Sequence, residues 1–193
     1  MALATPSLAL SCAVREALHQ ADVVETVLRG LLEVIQKDDF QLAENLRKMD
    51  DTVDALYSSI KYYLTNISRK ALDADESRRW TYIISFTINM EQVGDVIKRV
   101  LLDLEAKKIK PGRRFPEAGM AEIVEPHARL QDNLRLGVSV FLNGSARDAQ
   151  KLLKEKSAFS RPGTRLRHQP PGPPVGQHAA KPGNQFAAHR PDQ

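Results

Sequence analysis

Asp50 and Asp54 stand four residues apart in KMDDTVDALYSSI, Lys48 to Ile60, and Glu91 and Asp95 repeat that spacing in NMEQVGDVI, Asn89 to Ile97. Residues four apart share a helix face, so each pair would present two carboxylates side by side. Asp50 and Asp54 follow the apolar Met49 and Val53, while Glu91 and Asp95 follow Met90 and Gly94. Both pairs therefore border an apolar stripe. If their helices pack antiparallel, the pairs converge and offer up to four hard oxygen ligands, a set suited to Mg, Mn, Ca or Fe ions. Any divalent ion held there would depend on Asp54 and Glu91 together, and Gly94 would let the helices approach closely. The blander reading is equally physical: flanking acids are solvated, or paired with Lys48, Lys98 or Arg99.

Other constellations are thinner. Glu16-Ala17-Leu18-His19 has the Glu-x-x-His form of carboxylate-bridged di-iron bundles, which need two such motifs, and the sequence holds one. Its ordinary reading, like that of His127 after Pro126, is a helix-surface residue. Cys12 is the single cysteine, which excludes an internal disulfide and any multi-cysteine metal site. Tyr62, Tyr63 and Trp80 read as packing aromatics. A Gly-rich phosphate loop, a Ser/His/Asp set and a nucleophilic Cys with an assigned base are all missing, so the chain is expected not to be an enzyme.

The elements that carry these residues are helices. Val14, Ala17, Ala21, Val24, Leu28, Leu31 and Ile35 advance by alternating threes and fours, the seam of a bundled helix over about residues 7–36. After Lys37-Asp38-Asp39 the residues Leu42, Leu46, Met49, Val53, Leu56, Ile60, Tyr63 and Ile67 predict a second helix ending near Lys70. Asp73 to Glu76 supply N-capping chemistry for a third, with Ile83, Thr87, Met90, Gly94, Ile97, Leu101 and Leu104 inward and a stop before Pro111-Gly112. A fourth helix is expected from about Glu117 to Leu142, with Ile123, Leu130, Leu134, Val138 and Phe141 on one side and Asn143-Gly144 as its end. A fifth starts at Ala146. Short links between long helices imply antiparallel neighbours.

Charge and composition narrow the partners. The chain of 193 residues carries a net charge of +4. Residues 1–159 hold 23 basic against 23 acidic residues, whereas residues 160–193 hold five basic residues and one acid. The excess lies in the tail, which argues against a nucleic-acid partner for the body. MALATPSLALSCAV lacks a basic n-region and makes a poor signal peptide. The stretch from Trp80 to Met90 is too short and too polar to span a bilayer, which takes ~20 apolar residues. The last 34 residues contain seven of the eleven prolines and are expected to be disordered. A helix cut off in mid-pattern and followed by Pro-rich chain further suggests that residues 160–193 are translated out of frame.

The segments KMDDTVDALYSSIKYYL, SRRWTYIISFTINMEQVGDVIKRVLLDLEAKKI and HARLQDNLRLGVSVFLNG, in this order, resemble the PhoU-like domain. The closest likeness is to the cytoplasmic C-terminal PhoU-like region of bacterial sodium/phosphate cotransporters, over about Pro6 to Phe159. The resemblance implies an all-α antiparallel helical bundle: residues 1–6 a linker remnant, 7–110 one complete three-helix repeat, 111–159 a truncated second repeat, and 160–193 the disordered tail. It implies a role in phosphate transport or its regulation, beside a membrane transporter region or another protein partner, with self-association also open. Acids of these motifs bind metal clusters in PhoU-like proteins, which carries over to Asp50, Asp54, Glu91 and Asp95. The full-length parent is expected at the cytoplasmic face of the inner membrane, and this chain is expected to be a soluble, cytoplasmic fragment without the translocating part. A free-standing PhoU-like metal-binding phosphate regulator and a structural helical interaction module are the alternatives.

Overall fold

The computed structural model describes residues 5–68 and 72–159. The expected out-of-frame tail at 160–193 and most of the linker remnant at 1–6 lie outside the described residues. Within them the chain is all-α, with no strand: α1 (Pro6–Lys37), α2 (Phe40–Ser68), α3 (Ala74–Leu104), a π-helical turn (Glu105–Ile109), α4 (Glu117–Asn143) and α5 (Ala146–Phe159).

The ends of the helices follow from local chemistry. Pro6 opens α1 at a position that has no use for an N–H. Asp38 takes a left-handed conformation, φ 56°, and donates its N–H to the Val34 carbonyl, closing α1; Asp39 Oδ1 then accepts the Leu42 N–H at 2.9 Å to start α2. Asp73 and Glu76 form the expected capping box, each side chain accepting the other's backbone N–H, at 2.8 and 3.1 Å. Gly144, φ 62°, ends α4 as its αL cap. Ser145 Oγ accepts the Asp148 N–H and begins α5.

Helices α1, α2 and α3 pack on one another, α1 parallel to α3 and α2 antiparallel to both. The seams of α1 and α3 lie almost where the periodicity puts them: Ala17, Ala21, Val24, Leu28, Leu31 and Ile35 are buried, as are Ile83, Thr87, Met90, Gly94, Ile97 and Leu101. On α2 the buried residues are Ala43, Leu46, Asp50, Val53, Ile60, Leu64 and Ile67. That seam shares Leu46, Val53, Ile60 and Ile67 with the expected one but replaces Met49 by Asp50 and Tyr63 by Leu64. Tyr62 and Tyr63 are exposed, at 74% and 38%, so they are not packing aromatics. Trp80 is one, packed on the apolar cluster that includes Ile60, Leu64 and Ile83 and with its Nε1–H donated to the Leu64 carbonyl at 2.9 Å.

The interior divides into two apolar clusters. One runs along Ala21–Ile35, Ala43–Val53 and Met90–Leu101, the other joins Ala9–Ala17, Ile60–Ile67 and Ile83. Between them sits a polar layer, Gln20 and Thr87, both fully buried, where Gln20 Nε2 donates to the carbonyls of Val53 and Thr87.

Helix α4 leans on α1, and α5 packs on α4. Met120, Ile123, Leu134 and Val138 meet the first cluster, and Phe141 stacks on Phe86 of α3 with ring centroids 3.9 Å apart. Leu130 departs from expectation, being 47% exposed; the inward position of that turn belongs to His127.

Candidate functional site

The two acid pairs do face each other across the α2–α3 contact, and their environments differ sharply. Asp50 is the buried member: its side chain is 3% exposed, and its Oδ2 accepts from Lys98 Nζ at 2.7 Å. Its other oxygen rests against Gly94, where an added Cβ would come within 2.9 Å of Oδ1. Gly94 therefore does provide close approach, and what approaches is a carboxylate. Asp54 and Glu91 are half-buried and Asp95 is exposed. Lys48, the other nearby cation, pairs with Glu44 at 2.9 Å, and Arg99 donates to the Asp95 backbone carbonyl.

Electrostatics tie the four acids together. Burial raises the Asp54 carboxyl above its ordinary value, and the charges of Asp50 and Asp95 add to the rise while Lys98 opposes it. Burial likewise raises Glu91, with Asp95, Asp54 and Asp50 contributing in that order. Lys98 is held above the ordinary lysine range, first by its hydrogen bond to Asp50. The carboxylates thus sense one another as the antiparallel packing requires. As the side chains stand, no group of three or more His, Cys, Asp or Glu among the described residues is close enough to hold a metal ion.

The remaining candidates disperse. Glu16 lines a groove of about 430 Å³ between α1 and α2 with Cys12, Leu56 and Tyr63, whereas His19 belongs to a different surface depression beside Arg15 and Asp22. His127 is not a surface residue: it is 5% exposed, and its Nε2 lies 2.7 Å from the Leu28 carbonyl, joining α4 to α1.

Periodicity did not reveal a second charged arrangement, at the far end of the bundle. Glu105 and Lys108, four and seven residues beyond Leu101, continue the inward stripe of α3 through the π-helical turn, and both are buried. Glu105 pairs with Arg47 of α2 at 3.0 Å, and Lys108 Nζ donates to Asp38 Oδ1 and, at 2.9 Å, to the Ile35 carbonyl. The signal available in the sequence was the spacing itself, Glu105 and Lys108 standing four and seven residues after Leu101 on the inward stripe, where a seam read from apolar side chains passes over them.

Residues 18–103, most of α1 with α2 and α3, match the PhoU domain. A PhoU domain is present. The chain is 38% identical over 158 residues to a Salmonella typhimurium protein named "Putative inorganic phosphate export protein YjbB", covering 82% of this chain and 29% of that protein. The relative of the same name in Escherichia coli K12 is 37% identical over the same length. The chain thus spans about three tenths of the curated relatives it matches. No solved structure gives a significant match. No helix among the described residues is long and apolar enough to cross a membrane.

Proposed function

We propose that this chain is a PhoU-like accessory module of phosphate transport, acting on a sodium-dependent phosphate transporter as a regulatory helical bundle and performing no catalysis itself. The observation that carries this reading is the coincidence of the PhoU domain, residues 18–103, with the mutually packed unit α1–α3, in a chain whose relatives are named for phosphate export. Physical chemistry supports an accessory role. A spanning structure must satisfy its backbone within lipid, and the described helices lack the apolar length for it. Translocation would fall to a partner protein or protein portion, which the bundle contacts through its helix faces.

A chimera tests the reading. Residues 5–159 replace the matching part of the Salmonella relative in cells deleted for that protein, and phosphate efflux is measured with and without a sodium gradient. Efflux restored to within a few-fold of the intact relative, and responsive to sodium, supports the proposal. Efflux no better than that of the relative lacking this part, at equal membrane abundance, rejects it. Restored efflux indifferent to sodium rejects the sodium-coupled form.

A further inference from the structure

We propose that the Lys98 ammonium takes the cation position at Asp50, so that the one buried carboxylate of the Asp50/Asp54/Glu91/Asp95 set is compensated from within and this PhoU domain folds independently of divalent metal. The inference does not rest on the transport reading.

Burial at the α2 seam sets the requirement. A carboxylate as enclosed as Asp50 must be neutral, paired or metal-bound, because an unpaired buried charge is strongly unfavourable. Lys98 meets that requirement at 2.7 Å, a charge-assisted hydrogen bond, and its Nζ also lies 3.9 Å from Asp51. Position explains how it can do so. Lys98 stands one turn beyond Gly94 and two beyond Glu91 on α3, on the face that meets α2. The missing Cβ at Gly94 leaves the space that Asp50 Oδ1 fills, so the carboxylate is seated by a glycine on one side and an ammonium on the other. A lysine is a compact point charge on a flexible stem, suited to reaching in from a partly exposed position.

A divalent ion would need a different arrangement. It would have to take Asp50 Oδ2 from the ammonium and draw further oxygens to within ~2.0–2.6 Å. Geometry gives it no such group, since no three ligating side chains converge among the described residues. Asp95, the outermost acid, stays exposed.

Thermal unfolding of the full 193-residue chain decides the matter, with the wild type and Lys98→Met each measured in chelator and in millimolar Mg²⁺ or Mn²⁺. Expected is a wild-type Tm indifferent to chelator and metal, and a Tm several degrees lower in Lys98→Met, which strands Asp50. If Lys98→Met does not fold, the double variant Asp50→Asn/Lys98→Met decides: removing both charges should return most of the stability, again without metal dependence. A wild-type Tm that rises with Mn²⁺ or Mg²⁺, or falls in chelator, overturns the proposal. So does a Lys98→Met chain as stable as the wild type, or a double variant no more stable than Lys98→Met.

Discussion

Among individual residues, Asp50 shows what a sequence can and cannot disclose. Its partners Asp54, Glu91 and Asp95 and the ammonium of Lys98 were all visible as types at the right spacing, but the choice of Met49 over Asp50 as the inward residue followed hydrophobicity. Inwardness is set by what faces a position, and the facing residues are Gly94 and Lys98, 44 and 48 positions along the chain. No local pattern carries that. The half-buried acids lead to a pH prediction. A carboxyl whose folded-state pKa is raised adds stability below its unfolded value, near 4, and that stability is lost as pH rises through the raised value. Ionised Asp54 and Glu91 therefore oppose folding at neutral pH. Asp54→Asn and Glu91→Gln should each raise stability at pH 7 by about 0.2–0.5 kcal/mol, the scale of one like-charge pair four apart on a helix. Urea unfolding at pH 7 and near pH 4 checks this: the gain must shrink at the acid end, and a gain that is larger there excludes the mechanism.

Among elements, α1 and α3 were legible because their buried positions keep the three-and-four rhythm, and the caps at Asp73 and Asn143-Gly144 because their chemistry is local. The π-helical turn was not legible. One extra residue in a turn has no compositional mark, and the buried Glu105 and Lys108, four and seven residues past Leu101 on the α3 stripe, are charged where the seam was read from apolar side chains. Lys108 there caps the last turn of α1 through the Ile35 carbonyl while neutralising Asp38. Lys108→Met should cost about 2 kcal/mol, below the ~3–5 kcal/mol of a fully buried pair because Asp38 keeps some solvent. Hydrogen exchange should speed up at the C-terminal turn of α1; unchanged exchange there would exclude the capping role. The α2–α3 approach yields a second test at this scale. Gly94→Ala gains about 0.8–1 kcal/mol of helix propensity, but its Cβ would meet Asp50 Oδ1 at 2.9 Å, so a net loss is expected. In an Asp50→Ala background the same substitution should stabilise the fold. A double-mutant cycle in chemical denaturation reads the sign change, and additivity would show that the two side chains do not compete.

For the whole molecule, the packing is uneven. Three helices share two apolar clusters and a polar layer, whereas the α4–α5 hairpin is attached chiefly by one side of α4, through Ile123, His127, Leu134, Val138 and the Phe141–Phe86 stack. Its outer side is left apolar: Leu130, Leu142 and Leu153 are exposed, and a depression of about 420 Å³ between α4 and α5 is lined by Val140, Ala149, Leu152 and Leu153. A hairpin with fewer buried contacts opens at lower free energy than the rest. His127 is the sharpest handle on it, since its Nε2 bonds the Leu28 carbonyl from a site too buried for water to replace it easily. His127→Phe keeps the bulk and removes that bond. We expect about 1 kcal/mol of lost attachment, seen as roughly 5–10-fold faster hydrogen exchange along α4 and α5. Exchange in α3 should stay as it was, because the bond His127 makes is to α1. If α3 and α4 accelerate together, the five helices open as one cooperative unit, and the hairpin is not the separately yielding part of this bundle.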